Sequence, residues 1–168
     1  MTRQLLTLTL LILAFSGAGC GSDAEKAGNS PVAAKPTPEP EISYGQGFYD
    51  MERSGSDTWR WMAGEGVIVL KNTGKDMKLR LTGAVPIEQF PQPPTLKVVF
   101  NGEQLDQFPG APNIEKEYVI PAAKQKPGPT SELRIITDNV LVPKDKDPKS
   151  NDGRKLGFFL RNLAWNAK

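Results

Sequence analysis

Residues 96–102 read LKVVFNG and carry the pattern that decides the fold. Leu96, Val98 and Phe100 recur at every second position, and a period of two is typical of a strand with one buried face. Asn101-Gly102 follows at once, and this dipeptide is the strongest short signal for a tight hairpin turn. The stretch therefore predicts two antiparallel strands joined at this dipeptide.

The same pattern recurs along the chain between turns rich in Gly and Pro. Met77, Leu79 and Leu81 alternate with polar residues, and further short apolar runs occupy residues 67–70, 118–120, 133–136 and 156–160. No window shows sustained helical periodicity. About eight short strands predict an all-β fold, an antiparallel jelly-roll-like β-sandwich over residues 43–168. The expected core contains Leu79, Leu81, Val98, Phe100, Ile135, Phe158, Leu160 and Trp61.

The first twenty residues have the features of a bacterial lipoprotein leader. Arg3 precedes an apolar stretch at residues 5–15, and small residues lead to Cys20, the single cysteine of the chain. We expect a signal peptide at residues 1–19 and lipidation of the Cys20 thiol, with palmitate among the acyl groups. Plain secretion and a retained anchor are the alternatives, although the apolar stretch is shorter than the ~20 residues of a membrane span.

Residues 20–42 are expected to form a disordered tether between the lipid and the folded domain. Four prolines oppose a helix, and the segment contains no aromatic residue that would bury area. Fully extended, such a spacer would reach roughly 70 Å. Gly21, rather than Asp, follows the cysteine. We therefore expect a protein of the bacterial cell envelope, anchored to the membrane through its N-terminal lipid, and in the outer membrane if the cell is Gram-negative.

Composition argues against several classes of function. The formal net charge is +2, and no Lys/Arg cluster with interleaved aromatic residues indicates a nucleic-acid partner. The chain has no histidine, and its one cysteine lies at the expected lipidation site, which argues against a Ser-His-Asp triad and thiol catalysis. The acidic loop at residues 144–153 lacks EF-hand spacing and is rich in lysine, so a solvated loop is favoured over a calcium site. We expect no enzymatic activity, no metal and no cofactor.

Aromatic residues carry the remaining functional signal. Tyr44 and Tyr49 precede the run Trp59-Arg60-Trp61. On a strand the two tryptophans share one face and Arg60 points to the other. Exposed tryptophans could stack on sugars while Arg60 hydrogen-bonds hydroxyls, but such large rings also fill cores. The candidate ligand-binding residues are Tyr44, Tyr49, Trp59 and Arg60. Trp61 is expected in the core. For Trp59 the sequence favours neither the core nor a ligand-binding face.

Short motifs at both ends of the predicted domain resemble those of one bacterial family. Residues 47–49 (GFY) and 59–62 (WRWM) open the domain, and residues 154–157 (RKLG) with 160–161 (LR) close it. Over residues 43–166 the chain resembles the β-sandwich accessory domain found with bacterial membrane glycosyltransferases, which is similar to galactose-binding-like jelly rolls. The resemblance implies a jelly roll beside glycan-handling machinery, and it implies no catalytic residues.

The sequence thus predicts a lipid-anchored, non-catalytic envelope protein that recognises glycans or supports polysaccharide and glycosylation machinery. A structural or partner-binding lipoprotein, which holds an envelope protein complex together, is the alternative. Exposure of the tryptophan and tyrosine rings on one concave face favours the first, because a sugar needs an accessible aromatic surface. Burial of those rings favours the second.

Overall fold

The computed structural model describes residues 41–168. The predicted signal peptide, Cys20 and most of the predicted tether lie outside the described residues. Within residues 41–168, no helix is long and apolar enough to cross a membrane.

Ten strands lie in the described part of the chain. They are β1 (Ile42–Tyr44), β2 (Phe48–Ser54), β3 (Asp57–Met62), β4 (Glu65–Lys71), β5 (Met77–Ala84), β6 (Thr95–Phe100), β7 (Glu103–Pro109), β8 (Ile114–Ile120), β9 (Thr130–Thr137) and β10 (Phe158–Ala167). One short helix, α1 (Pro143–Lys146), and two 3₁₀ turns (Ile87–Gln89 and Ala122–Lys124) lie in the connections.

The strands form two antiparallel five-stranded sheets. Sheet A has the order β1-β4-β9-β6-β7, and sheet B has the order β2-β3-β10-β5-β8. Without β1 and β2, which extend one edge of each sheet, the remaining orders 4-9-6-7 and 3-10-5-8 are those of an eight-stranded jelly roll. The predicted all-β jelly-roll sandwich is therefore confirmed, with two added edge strands.

The hairpin at Asn101-Gly102 connects β6 to β7 as predicted. Asn101 has φ 52° and Gly102 has φ 91°. Positive φ at both central residues is the requirement of the tight turn that suits the twist of paired strands. The turn thereby sets the register of two strands in sheet A.

The core lies between the two sheets. Seven of the eight residues predicted for the core are buried there: Leu79, Leu81, Val98, Phe100, Ile135, Phe158 and Leu160. The prediction for Trp61 is wrong, because Met62 of the same strand faces inward and the neighbouring Trp61 side chain therefore points to the outer face of sheet B. Trp165 occupies the core instead, with its ring 6.1 Å from that of Phe100.

A polar cluster joins the two sheets at the edge formed by β7 and β8. The Asp106 carboxylate accepts hydrogen bonds from Lys116 Nζ and from the Tyr118 hydroxyl, both at 3.0 Å. Burial raises the pKa of Asp106, but these two donors together with the Gln107 amide outweigh burial and hold the pKa below its usual range. The cluster satisfies polar groups that would otherwise be left between the sheets.

The two tryptophan positions are expected to respond differently to truncation. Trp165→Ala should lower the free energy of unfolding by about 3–5 kcal/mol, because it leaves a cavity in the core. Trp61→Ala removes a ring of equal size from the outer face and should cost about 1 kcal/mol or less. Urea unfolding of the full-length protein and both variants measures the difference. Equal losses would contradict the assignment of these two rings.

Candidate functional site

Three aromatic side chains form a cluster on the outer face of sheet B, and we call Trp59, Trp61 and Phe159 the aromatic platform. Trp59 and Trp61 are two residues apart on β3 and so share one face. Phe159 is the register partner of Trp61 on β10, and their rings meet edge to face with centroids 5.0 Å apart. Such edge contacts fix the orientation of both rings.

Arg161 lies beside the platform because β10 contains a β-bulge. The register of β10 against β5 passes from Leu160 opposite Gly83 to Asn162 opposite Thr82, so Arg161 has no residue opposite it. Its guanidinium carbon is 5.0 Å from the centroid of the Phe159 ring. A cation at that distance over an aromatic face is attracted by the ring, which holds the side chain against the platform.

The platform lines a cleft of about 640 Å³. Its walls are Ser56, Asp57, Thr58, Trp59, Trp61, Phe159 and Arg161. This volume is within the range of small-molecule binding sites, and the combination of apolar rings with a few polar groups is typical of them. Asp57 is the one carboxylate among these lining residues. The cleft can therefore offer ring faces, one anionic acceptor and one cationic donor to a ligand.

A network of hydrogen bonds between charged side chains holds Trp59 in place. The Trp59 indole nitrogen donates to Glu52 on the adjacent strand β2 at 3.2 Å, and Arg154 donates to the other oxygen of Glu52 at 2.6 Å. Arg154 also donates to Asp152 at 2.8 Å. The bonds to Asp152 and Glu52 raise the pKa of Arg154, and the bonds from Arg154 hold the pKa of Asp152 below its usual range. Three charge-assisted contacts thus connect the loop before β10 to the edge of the platform.

Tyr49 also contacts the loop before β10. Its hydroxyl accepts a hydrogen bond from the Lys155 amide at 3.2 Å and lies 3.3 Å from the Lys155 carbonyl, to which it donates. The Arg154 guanidinium carbon is 5.2 Å from the centroid of the Tyr49 ring. The Tyr49 hydroxyl therefore forms its hydrogen bonds with the Lys155 backbone and is not free to bind a ligand. Its role is to hold the loop next to the platform.

Tyr44 and Arg60 lie together in a different place. Arg60 alternates with the tryptophans on β3, so it points away from the platform and donates to the Tyr49 carbonyl at 3.3 Å. Its guanidinium is 4.9 Å from the centroid of the Tyr44 ring, which also meets Phe48 edge to face at 5.3 Å. Burial raises the pKa of Tyr44, and the nearby Arg60 charge only partly offsets this. These two candidates line a small cavity of about 40 Å³ that shares Thr58, Trp59 and Arg161 with the cleft.

The structure thus divides the four residues proposed from the sequence. Trp59 lies on the platform, Tyr49 supports the adjoining loop, and Tyr44 and Arg60 line the smaller cavity. Sequence reasoning missed Phe159 and Arg161. The alternation around Phe158 and Leu160 could have placed Phe159 outside, whereas nothing local marks the bulge that redirects Arg161.

The acidic loop contains local hydrogen bonds. Asp147 accepts from the Lys149 amide at 2.9 Å, and Asp152 is occupied by Arg154. Within residues 41–168, no group of three His, Cys, Asp or Glu side chains is arranged to hold a metal ion. Asp152 is instead part of the network that supports Trp59.

No family model and no curated protein matches this chain. Among solved structures, it is similar to a family 35 carbohydrate-binding module from an environmental isolate, with 9% identity over 76% of this chain and 93% of that chain, at a TM-score of 0.41. It is also similar to the CBM35 from Paenibacillus barcinonensis, with 13% identity over 77% and 91% of the two chains and a TM-score of 0.37. A two-domain esterase active on acetylated mannans gives 10% identity over 77% of this chain and 35% of that chain, with a TM-score of 0.38. At these values the likeness assigns no residue role to this chain.

The contact between Arg154 and Asp152 predicts a pH dependence of stability. Because the pKa of Asp152 is depressed in the folded state, its contribution is present above the unfolded pKa of about 3.9 and is lost as the pH falls through the folded value. Asp152→Asn should therefore lower the urea midpoint at pH 7 and bring it towards that of the wild type below about pH 3.

The matched control is Asp145→Asn in the same loop, because the Asp145 carboxylate has no hydrogen-bond or ion-pair partner within residues 41–168. Its urea midpoint should follow that of the wild type at every pH. A constant offset between Asp152→Asn and the wild type across the acid range would contradict the ion-pair assignment.

Proposed function

We propose that this protein is a non-catalytic, glycan-recognising lipoprotein of the bacterial envelope, and that the aromatic platform is its binding face. The observation that carries this proposal is the placement of Trp59, Trp61 and Phe159 together on one wall of an open cleft of about 640 Å³. Folding would normally bury rings of this size, so three partly exposed rings on one face indicate a surface that another molecule covers.

The chemistry of the cleft suits a sugar. The C–H groups of a pyranose ring are slightly positive and pack on the negative faces of aromatic rings. Sugar hydroxyls both donate and accept hydrogen bonds, so they can pair with the Asp57 carboxylate and with the Arg161 guanidinium at the border of the platform. Because these polar groups are few and lie next to the aromatic rings, they would determine the orientation in which the ligand binds.

The same cleft offers little for hydrolysis. A glycosidase of the usual kind needs two carboxyl groups on opposite sides of the bond that it cleaves. Asp57 is the one carboxylate among the residues that line the cleft. Histidine, the commonest general base, is absent from the sequence. A binding role is therefore better supported than a catalytic one.

The proposed anchor rests on the sequence of residues 1–20 and on the position of the folded domain in the chain. The first strand begins at Ile42, so about twenty residues would separate it from a lipidated Cys20. A diacylglyceryl group supplies two acyl chains, which is enough for stable membrane attachment. The domain would thus reach glycans at some distance from the bilayer that holds it.

Truncation of the platform is expected to reduce glycan binding without unfolding the protein. On an array of envelope polysaccharides and their oligosaccharides, Trp59→Ala and Trp61→Ala in the full-length protein should each weaken binding by about tenfold or more, or ~1.4 kcal/mol. Val119→Ala is the matched control, because Val119 is 46% exposed on β8 at the opposite edge of sheet B. Calorimetric melting checks that the variants stay folded.

Two results would contradict the glycan proposal. One is an intact protein that binds no glycan on the array, which would leave the partner-binding alternative. The other is full binding by both tryptophan variants, which would place the ligand elsewhere.

Replacement of the single cysteine tests the anchor. Cys20→Ser should abolish incorporation of labelled palmitate and block cleavage of the leader, because a hydroxyl cannot form the thioether. Labelling and membrane fractionation of cells that express each form measure this. A serine variant that is still labelled and still sediments with membranes would show that the lipoprotein assignment is wrong.

A further inference from the structure

The arginines of the described residues fall into two groups. Arg80, Arg134 and Arg154 each form an ion pair with at least one carboxylate. Arg53, Arg60 and Arg161 form none within residues 41–168, and all three lie on the hairpin of β2 and β3 or on the bulge of the adjacent β10. Of these three, Arg161 lines the cleft, and Arg60 and Arg161 line the small cavity beside it.

Arg161 lies at the border of the cleft with its guanidinium beside the Phe159 ring. It is exposed, it occupies the bulge of β10, and it stacks on Phe159, whose ring is in turn held by Trp61. Bulges commonly redirect a side chain next to a functional site. A guanidinium held in this way keeps its planar set of donors free for a bidentate contact with a carboxylate, phosphate or sulfate group.

Arg60 brings a second positive charge to the small cavity, which Arg161 also lines. Its Nε is buried and has no hydrogen-bond partner among the described residues, although Nη1 donates to the Tyr49 carbonyl. A buried hydrogen-bond donor that has no partner is costly. Arg60 and Arg161 both line the cavity of about 40 Å³, which has room for roughly two or three waters or for one small anionic group.

We propose that Arg161 and Arg60 form an anion subsite beside the aromatic platform, so that the preferred glycan carries an acidic substituent. This inference rests on the proposed function, since the platform must bind the sugar ring to which the acidic group is attached. Arg161 contacts the anion directly, and the charge of Arg60 stabilises it from the floor of the small cavity. Asp57, the one carboxylate lining the cleft, does not line the small cavity in which the two arginines meet.

The test compares matched acidic and neutral glycans on the full-length protein in detergent. The pairs are oligogalacturonate with its methyl ester, phosphomannan with mannan oligosaccharides, and sulfated with unsulfated galactan oligosaccharides. At least one acidic member should bind about tenfold more tightly than its neutral partner, and the preference should weaken as salt rises. The pair that shows the preference identifies the acidic group as carboxylate, phosphate or sulfate.

Arg161→Ala should remove that preference, so that the acidic and the neutral member of the pair bind with equal affinity. Arg161→Lys should restore only part of it, because a lysine keeps the charge but loses the planar donors. Arg80→Ala is the control, since Arg80 is an exposed arginine of the same sheet that is paired with Glu115. It should leave the preference intact.

The outcomes separate the two proposals. Neutral and acidic members that bind equally well, with loss of both in Trp61→Ala, would overturn the anion subsite and leave the glycan function standing. A preference that survives in Arg161→Ala would also overturn the subsite. Absence of binding to every pair would overturn both proposals.

Discussion

The pairing of β3 with β10 is the constraint on which the site depends. Met62 lies opposite Phe158, and both side chains are fully buried. This pair therefore determines which residues of both strands face the core and which face outward. Because side chains alternate across a sheet, Trp61 and Phe159 then meet on the outer face one residue away. A slip of one residue would place the tryptophans in the core and expose the methionine. Burial of two apolar side chains thus creates the aromatic surface on the other side.

Around this pair, elements distant in sequence complete the site. Arg154 is 102 residues from Glu52, yet their ion pair ties the loop before β10 to the hairpin that carries Trp59. The bulge of β10 adds Arg161 to the outer face without disturbing the buried Leu160 and Leu163 on either side. The jelly roll makes both arrangements available because its last strand, β10, lies beside β3, so the C-terminal part of the chain supports the hairpin of β2 and β3.

Much of the fold could be predicted from the sequence, because alternation reports directly on a half-buried strand. Leu79 and Leu81 are buried as predicted, and the turn at Asn101-Gly102 is where the dipeptide places it. The prediction for Trp61 is wrong because hydrophobicity alone does not distinguish a ring in the core from a ring on the outer face of a sheet. The inward position of Met62 shows that the neighbouring Trp61 faces outward. Arg161 and the contact between Arg154 and Glu52 could not be predicted, since a bulge and a long-range ion pair depend on tertiary packing.

The most direct test of the central claim, that the platform binds sugars, follows the three indole N–H signals of the ¹⁵N-labelled full-length protein by NMR during titration with an array-selected oligosaccharide. The signals of Trp59 and Trp61 are expected to shift with the titration. The signal of Trp165, whose ring is buried in the core and whose indole nitrogen donates to the Lys71 carbonyl, should stay in place. Backbone signals that shift elsewhere while the Trp59 and Trp61 indoles remain unchanged would show that the platform is not the binding face.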